Sequence, residues 1–243
     1  MVRGVGWVNG AGTGRGRAIS FATGGNEGLP KLSSKELFRR PFPRFGRMDS
    51  YSRTGLAAIA LALKDAGLDE PEGEQNIAVV ASTVYGSLSA DADYFSTVIS
   101  DEGRLASPNF FVYALPNTYL GEAAIYFRLT GPGFVCCESS ASGLHGLRRG
   151  IDGIEREEYE IVLTGVCDVG TPPSIGGTNQ ISLGALFFVL QGESRTLHQP
   201  YGALTQDDMG TTFFENAKVN NLNDLAAICT AKIRIKNEVM RSI

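Results

Sequence analysis

The sequence predicts an α/β protein, with helices layered on a largely parallel sheet. Two observations carry that prediction. Short apolar runs, such as NIAVVASTV (76–84) and LGALFFVL (183–190), alternate with stretches of helical period. Glycine makes up 30 of the 243 residues, shows no collagen-like period, and falls at turns between those runs. A 43% hydrophobic and 20% charged composition is ordinary for a soluble domain with a real core. The net charge of −4 gives no reason to expect nucleic acid. No apolar run reaches the ~18 residues of a membrane span, and MVRGVGWVNG lacks the apolar core and cleavage site of a secretory leader. A cytoplasmic setting is expected. Cys136, Cys137, Cys167 and Cys229 fit neither a disulfide framework nor a CxxC metal pair, so they read as free thiols. Neither a cofactor nor a metal is implied.

In chain order, Val2 to Val8 reads as a strand. Gly10, Gly12, Gly14 and Gly16 follow, but a dinucleotide loop starting at Gly10 needs glycine where Arg15 stands, so an ordinary turn competes with a nucleotide site. Residues 30–48 are basic and proline-punctuated, either a solvated loop or a docking patch for an acidic partner. A helix should begin at Asp49, capped by Ser50 or Ser52, with Leu56, Ile59, Ala60 and Leu63 on one face and Gly67 as its left-handed stop. Residues 76–84 form a buried strand, 88–100 a helix, and a helix starts at Asn117 and ends at Thr130-Gly131-Pro132. Gly133 to Cys137 is a third strand. A helix opens at Ser139 or Ser140 and runs to about Glu155, with Leu144, Leu147 and Ile151 on its apolar face. Strands follow at 159–166 and 183–190, and a late strand at 226–235.

Four segments, RMDSYSRTGLAAIALALKDAGL, LPNTYLGEAAIYFRLTGPG, ESSASGLHGL and YEIVLTGVCDV, in that order and spacing, resemble the N-terminal half of β-ketoacyl-acyl-carrier-protein synthases, over roughly residues 1–190. The resemblance implies a thiolase-like half with three layers, a five-stranded mixed sheet in the order 3-2-1-4-5, and a buried helix after a nucleophile corner. It divides the chain into a ketosynthase-like unit (1–195) and a short C-terminal extension (196–243).

In that family the residue two before the Ser-Gly pair is a nucleophilic cysteine at a helix N-terminus, where the helix dipole lowers a thiol's pKa and backbone N–H groups stabilise an oxyanion. Here the pair is Ser142-Gly143, so the nucleophile's position is Ser140, with Ala141, Ser142 and Gly143 as its oxyanion neighbourhood. Cys137 lies three residues upstream and would serve only with the corner re-registered. A hydroxyl, unlike a thiol, needs a general base to attack. The family's second half carries two catalytic histidines, in HGTGT-like and GHxxGAAG-like motifs, and a GFGG-like turn. None occurs in these residues, whose histidines are His145 and His198.

Three readings follow. The first is a non-condensing accessory subunit, like the cysteine-lacking partners that shape the acyl tunnel beside a working ketosynthase in type II polyketide and aryl-polyene systems. It implies fatty-acid or polyketide-type chain building and dimerisation through strand 133–137, with an acyl-carrier protein or a catalytic ketosynthase as partner. The second is an acyltransferase or acyl hydrolase using Ser140. The third is a structural homologue without an acyl role. Arg39, Arg40, Arg44, Arg148 and Arg149 are the candidates for contacting an acidic carrier.

Overall fold

The computed structural model describes residues 1–16, 21–23, 28–99, 103–104, 106–171, 183–192 and 200–229. A six-stranded mixed sheet forms its centre, built from β1 (Val2–Asn9), β2 (Gly12–Arg15), β3 (Ile77–Thr83), β4 (Gly133–Cys137), β5 (Ile161–Asp168) and β6 (Gly184–Gln191). The spatial order is β2-β1-β6-β5-β3-β4. β4, β3 and β5 are mutually parallel, while β6 runs antiparallel to both β5 and β1. All five expected strands form, and the thiolase-like α/β class holds.

Two features of the sheet depart from expectation. The glycine-rich segment after β1 folds back as β2, adding a sixth strand, with Trp7 opposite Gly14. The order of the five anticipated strands is third, second, fourth, fifth, first, so the N-terminal strand is not central. The hairpin supplies the reason. β2 takes one edge of β1, leaving only the other edge for β6. Gly10 to Gly16 is thus hairpin turn and strand, as the ordinary-turn reading held.

On one face of the sheet lie α2 (Ser50–Ala66) and α5 (Thr118–Phe127); on the other lies α6 (Leu144–Glu155). α2 crosses β1 at close range. A Cβ on Gly6 would stand 2.3 Å from the Ala62 backbone nitrogen, so only glycine permits this approach. Leu56, Ile59, Ala60 and Leu63 of α2 are buried as expected, each of the larger three contributing about 1.5–3 kcal/mol by leaving water. Gly67 ends the helix in the left-handed conformation. The cap is Asp49 rather than Ser50 or Ser52. Its carboxylate accepts from the N–H groups of Tyr51 (3.0 Å) and Ser52 (3.1 Å), and its charge suits the helix N-terminus.

Residues 30–48 are not simply solvated. They carry a short helix α1 (Ser34–Leu37) and a 3₁₀ turn at Pro43–Arg47. Phe38, Phe42 and Phe45 recur near helical spacing and turn inward; Phe38 and Phe42 meet Tyr126, with Phe42 stacked on that ring at 4.9 Å, and Phe45 packs on both phenylalanines. The arginines between them face out.

Further along, α3 (Leu88–Ile99) and α4 (Pro108–Val112) pack on each other and bury little: Ala90 alone in α3 and no residue of α4. β7 (Leu204–Gln206), β8 (Thr212–Phe214) and β9 (Ala217–Lys218) make a small antiparallel sheet. Residues 222–229 are helical where a strand was expected; the remainder of that expectation, 230–235, lies outside the described residues. Leu222, Leu225, Ala226 and Cys229 sit at helical spacing and are all buried, which a strand's alternation would not achieve. Phe214, Val219 and these residues pack with α6 and β1 in one core beneath the sheet.

Candidate functional site

The corner between β4 and α6 holds the anticipated nucleophile position, and its geometry departs from the expected one. α6 begins at Leu144, not at Ser139 or Ser140. Serines and a glycine at 139–143 are weak helix formers whose hydroxyls compete with the backbone. Gly143 then takes φ 70°, a conformation that glycine adopts without penalty and that stands outside the helix. Ser140 is therefore exposed in a turn four residues ahead of the helix start. The helix is amphipathic rather than wholly buried: Leu147 and Ile151 face the sheet, while Leu144 and the arginines are only partly covered.

The N–H groups at the start of α6 are already engaged. Glu138, buried at the end of β4, accepts from the His145 N–H through one carboxylate oxygen (3.1 Å) and from the Ser142 hydroxyl through the other (2.9 Å). The Leu144 N–H points to Ser142 Oγ at 3.3 Å. The Gly146 N–H donates to Ser82 Oγ at 3.0 Å, and the Leu147 N–H to the Gly143 carbonyl. A carboxylate thus occupies the place where a helix dipole would otherwise face a substrate anion. Sequence reading passed over Glu138. Its signal was an acid set between an apolar strand and a serine-rich turn.

No base is within hydrogen-bonding reach of Ser140 among the described residues. His145 is exposed on the first turn of α6, and His198 lies outside them. The thiols are no better placed. Burial, then the charge of Glu138, raises the Cys136 pKa, which disfavours its thiolate; Cys137 is exposed at the strand's end. Cys167 is fully buried, and burial raises its pKa too.

Ser139, Ser140, Ala141 and Ser142 line one wall of a cleft of about 560 Å³. The C-terminal end of β1 contributes Asn9, the loop after β3 contributes Tyr85, and the start of β6 contributes Gly184 to Leu186. Asn220, Asn221 and Asn223 form a wall that the sequence reading did not foresee; its signal was three asparagines within four residues. Ligand crevices of α/β sheets lie at this end of the parallel strands. Among the described residues no charged side chain lines the cleft; its wall there is serine, asparagine and apolar side chains, which suits an uncharged ligand segment with amide or hydroxyl groups.

Asp168, the last residue of β5, braces the loop carrying Tyr85. Its carboxylate accepts the Thr83 hydroxyl (2.8 Å) and the N–H groups of Val84 (3.0 Å) and Tyr85 (2.9 Å). Burial raises its pKa, and those donors offset part of the rise.

Of the candidate docking arginines, Arg39 and Arg40 line one cleft, and Arg44, Arg148 and Arg149 are not part of its lining. Arg39 pairs with Asp69 and Glu70, and Arg40 lies over the Tyr126 ring. Arg44 approaches the buried Glu122 at 3.1 Å. On α6, Arg149 pairs with Glu158 at 2.5 Å, and Arg148 is half-buried.

The β-ketoacyl synthase N-terminal-domain family matches residues 25–184, and the chain belongs to that family. No curated protein sequence matches it. Among solved structures, "The ishigamide ketosynthase/chain length factor" superposes with a TM-score of 0.61 at 18% identity, over 78% of this chain and 57% of that one. The chain thus spans little more than half of that relative's length. "Ketosynthase (ApeO) in Complex with its Chain Length Factor (ApeC) from Xenorhabdus doucetiae" matches with a TM-score of 0.61 at 13% identity, over 96% of this chain and 91% of that one. In that pair the two matched chains are of similar length. A type II polyketide acyl-carrier protein in complex with its ketosynthase, AntDE:AntF, matches at TM-score 0.56 and 15% identity, over 79% and 62%. At these identities the likeness is one of fold.

Proposed function

We propose that this chain is a non-condensing, chain-length-factor-like subunit that acts beside a catalytic ketosynthase in fatty-acid or polyketide-type chain building. One observation carries the reading: Glu138 caps the helix that should activate a nucleophile, while the nucleophile position holds an exposed serine outside that helix. Such a corner suits holding an acyl chain better than bonding to it. The likeness in fold to a chain from a ketosynthase–chain length factor complex supports it.

The partner would dock at β4. Among the described residues that strand pairs with β3 alone, and its other edge there offers backbone groups to a partner. Phe110, Phe111, Val112 and Leu115, and Ile125 of α5, the helix that precedes β4, are large apolar side chains left exposed. Docking there would give a heterodimer, or a homodimer through the same edge. Residues 1–195 serve as the ketosynthase-like unit in this reading, and the extension from 196 onward supplies the asparagine wall. Arg39, Arg40, Arg44, Arg148 and Arg149 remain the basic groups proposed to meet an acidic carrier protein, in a cytoplasmic setting.

Intact-protein mass spectrometry after incubation with acyl-carrier and malonyl-carrier donors, with and without a ketosynthase, tests the proposal. The expected result is no adduct on the chain alone and a changed product length when the ketosynthase is present. An acyl adduct on Ser140, lost in Ser140→Ala, would overturn it in favour of a serine acyltransferase. No adduct and no change in product would overturn it in favour of a homologue without an acyl role.

A further inference from the structure

We propose that Arg39, Arg40 and Arg128 form a docking cleft for an acidic protein segment, and that the chain's own acidic loop, residues 69–74, guards it until the partner displaces it. The cleft, of about 340 Å³, lies between the segment before α2 and the end of α5, remote in sequence from the β4–α6 corner.

Its three cations are held differently. Arg40 is pre-organised. Its main-chain N–H donates to the Tyr126 hydroxyl (2.8 Å), its Nη2 donates to the Tyr126 carbonyl (2.6 Å), and its guanidinium lies 4.8 Å from the centre of the Tyr126 ring. The stack with Phe42 fixes that ring in turn. Most of the guanidinium's five donors are left to face outward. Arg128 stands at the left-handed end of α5 with φ 55°, where glycine or asparagine is favoured.

The third cation, Arg39, is covered. Its Nε meets Glu70 at 2.8 Å and Asp69 at 3.3 Å. The covering loop reads Asp69-Glu70-Pro71-Glu72-Gly73-Glu74, and the Glu72 carbonyl also receives Arg128 Nη1 at 3.4 Å. Two carboxylates, Asp69 and Glu70, thus line the cleft beside three guanidiniums, Arg39, Arg40 and Arg128, leaving one positive charge in excess. Arg39 and Glu70 are both 56% exposed, so their pair is weak and readily exchanged. A longer acidic segment replaces the loop's contacts like for like, and adds contacts to Arg40 and Arg128 that the loop's carboxylates do not make. Identifying that segment with a carrier protein rests on the function proposed above; the guarded cleft does not.

The test uses a fluorescein-labelled deca-aspartate peptide, with anisotropy measured on the full chain at low and at physiological salt. Neutralising the guard with Asp69→Asn/Glu70→Gln is expected to tighten binding by about three- to tenfold, the scale of exposed ion pairs. Arg39→Ala/Arg40→Ala should abolish it. Arg128→Gly should weaken binding while the thermal midpoint stays level or rises, separating a binding role from a folding one. Unchanged affinity in Asp69→Asn/Glu70→Gln, with loss in Arg39→Ala/Arg40→Ala, would overturn the guard and leave the cleft standing. No binding by any variant, or binding indifferent to Arg39 and Arg40, would overturn both. Repeating the series with an acidic carrier protein reports separately on the partner's identity.

Discussion

Two parallel strands of the sheet end in a buried acid, and the acids do different work. Asp168 closes β5 and reaches sideways, gripping the Val84 and Tyr85 N–H groups of the loop after β3. Glu138 follows β4 and reaches forward along its own chain to the first turn of α6. The first fastens one cleft wall to another strand. The second fills a helix end that would otherwise be open to a substrate. A carboxylate at a strand's end can thus build a site or shut one, depending on whose donors it satisfies.

The largest expected effect is at the brace. Asp168→Ala strands one buried donor, the Thr83 hydroxyl, and two partly buried ones, the Val84 and Tyr85 N–H groups, and at about 1 kcal/mol for each, urea denaturation should show a loss of about 3 kcal/mol. If the loss were below about 1 kcal/mol, the brace would be a contact without consequence. Glu138→Ala should cost less, about 1–2 kcal/mol by the same measurement, because the helix start regains water more easily. A loss equal to that of Asp168→Ala would erase the contrast drawn between the two acids.

The pH dependence should separate them further. Burial raises the Asp168 pKa above the ordinary 3.8, so its protonated form is the one folding favours. The stability it contributes is full below about pH 4 and is lost as pH rises through its folded-state value. Urea midpoints from pH 3 to 7 should fall with rising pH more steeply in the native chain than in Asp168→Asn; equal slopes would reject the shift.

The smallest effect is expected at the nucleophile position itself. Ser140→Cys should give a thiol that alkylates with iodoacetamide at the rate of an ordinary exposed cysteine, followed peptide by peptide to set Cys136 and Cys137 aside. A rate tens of times faster would show that the helix end still acts on residue 140 in spite of Glu138.

Much of this was legible in the sequence. The strands at 2–9, 77–83, 133–137, 161–168 and 184–191 and the helices at 50–66 and 118–127 follow from apolar period and from glycine and proline punctuation. These signals are local, so a single chain displays them. The ordered motifs pointed to the family, and Ser140 in place of a thiol already argued against condensation. Tertiary structure decided the rest, because it turns on neighbours distant in the chain. β1 left the centre of the sheet because β2 took one of its edges. Phe38 and Phe42 turned a basic stretch into an anchor because Tyr126 lay waiting for them. Residues 222–229 became helical over a surface that only the folded sheet and α6 provide. The Gly146 N–H in the first turn of α6 found its acceptor in Ser82, 64 residues away. Hydrogen-bond satisfaction is a property of the assembled fold, and no reading of period or composition contains it.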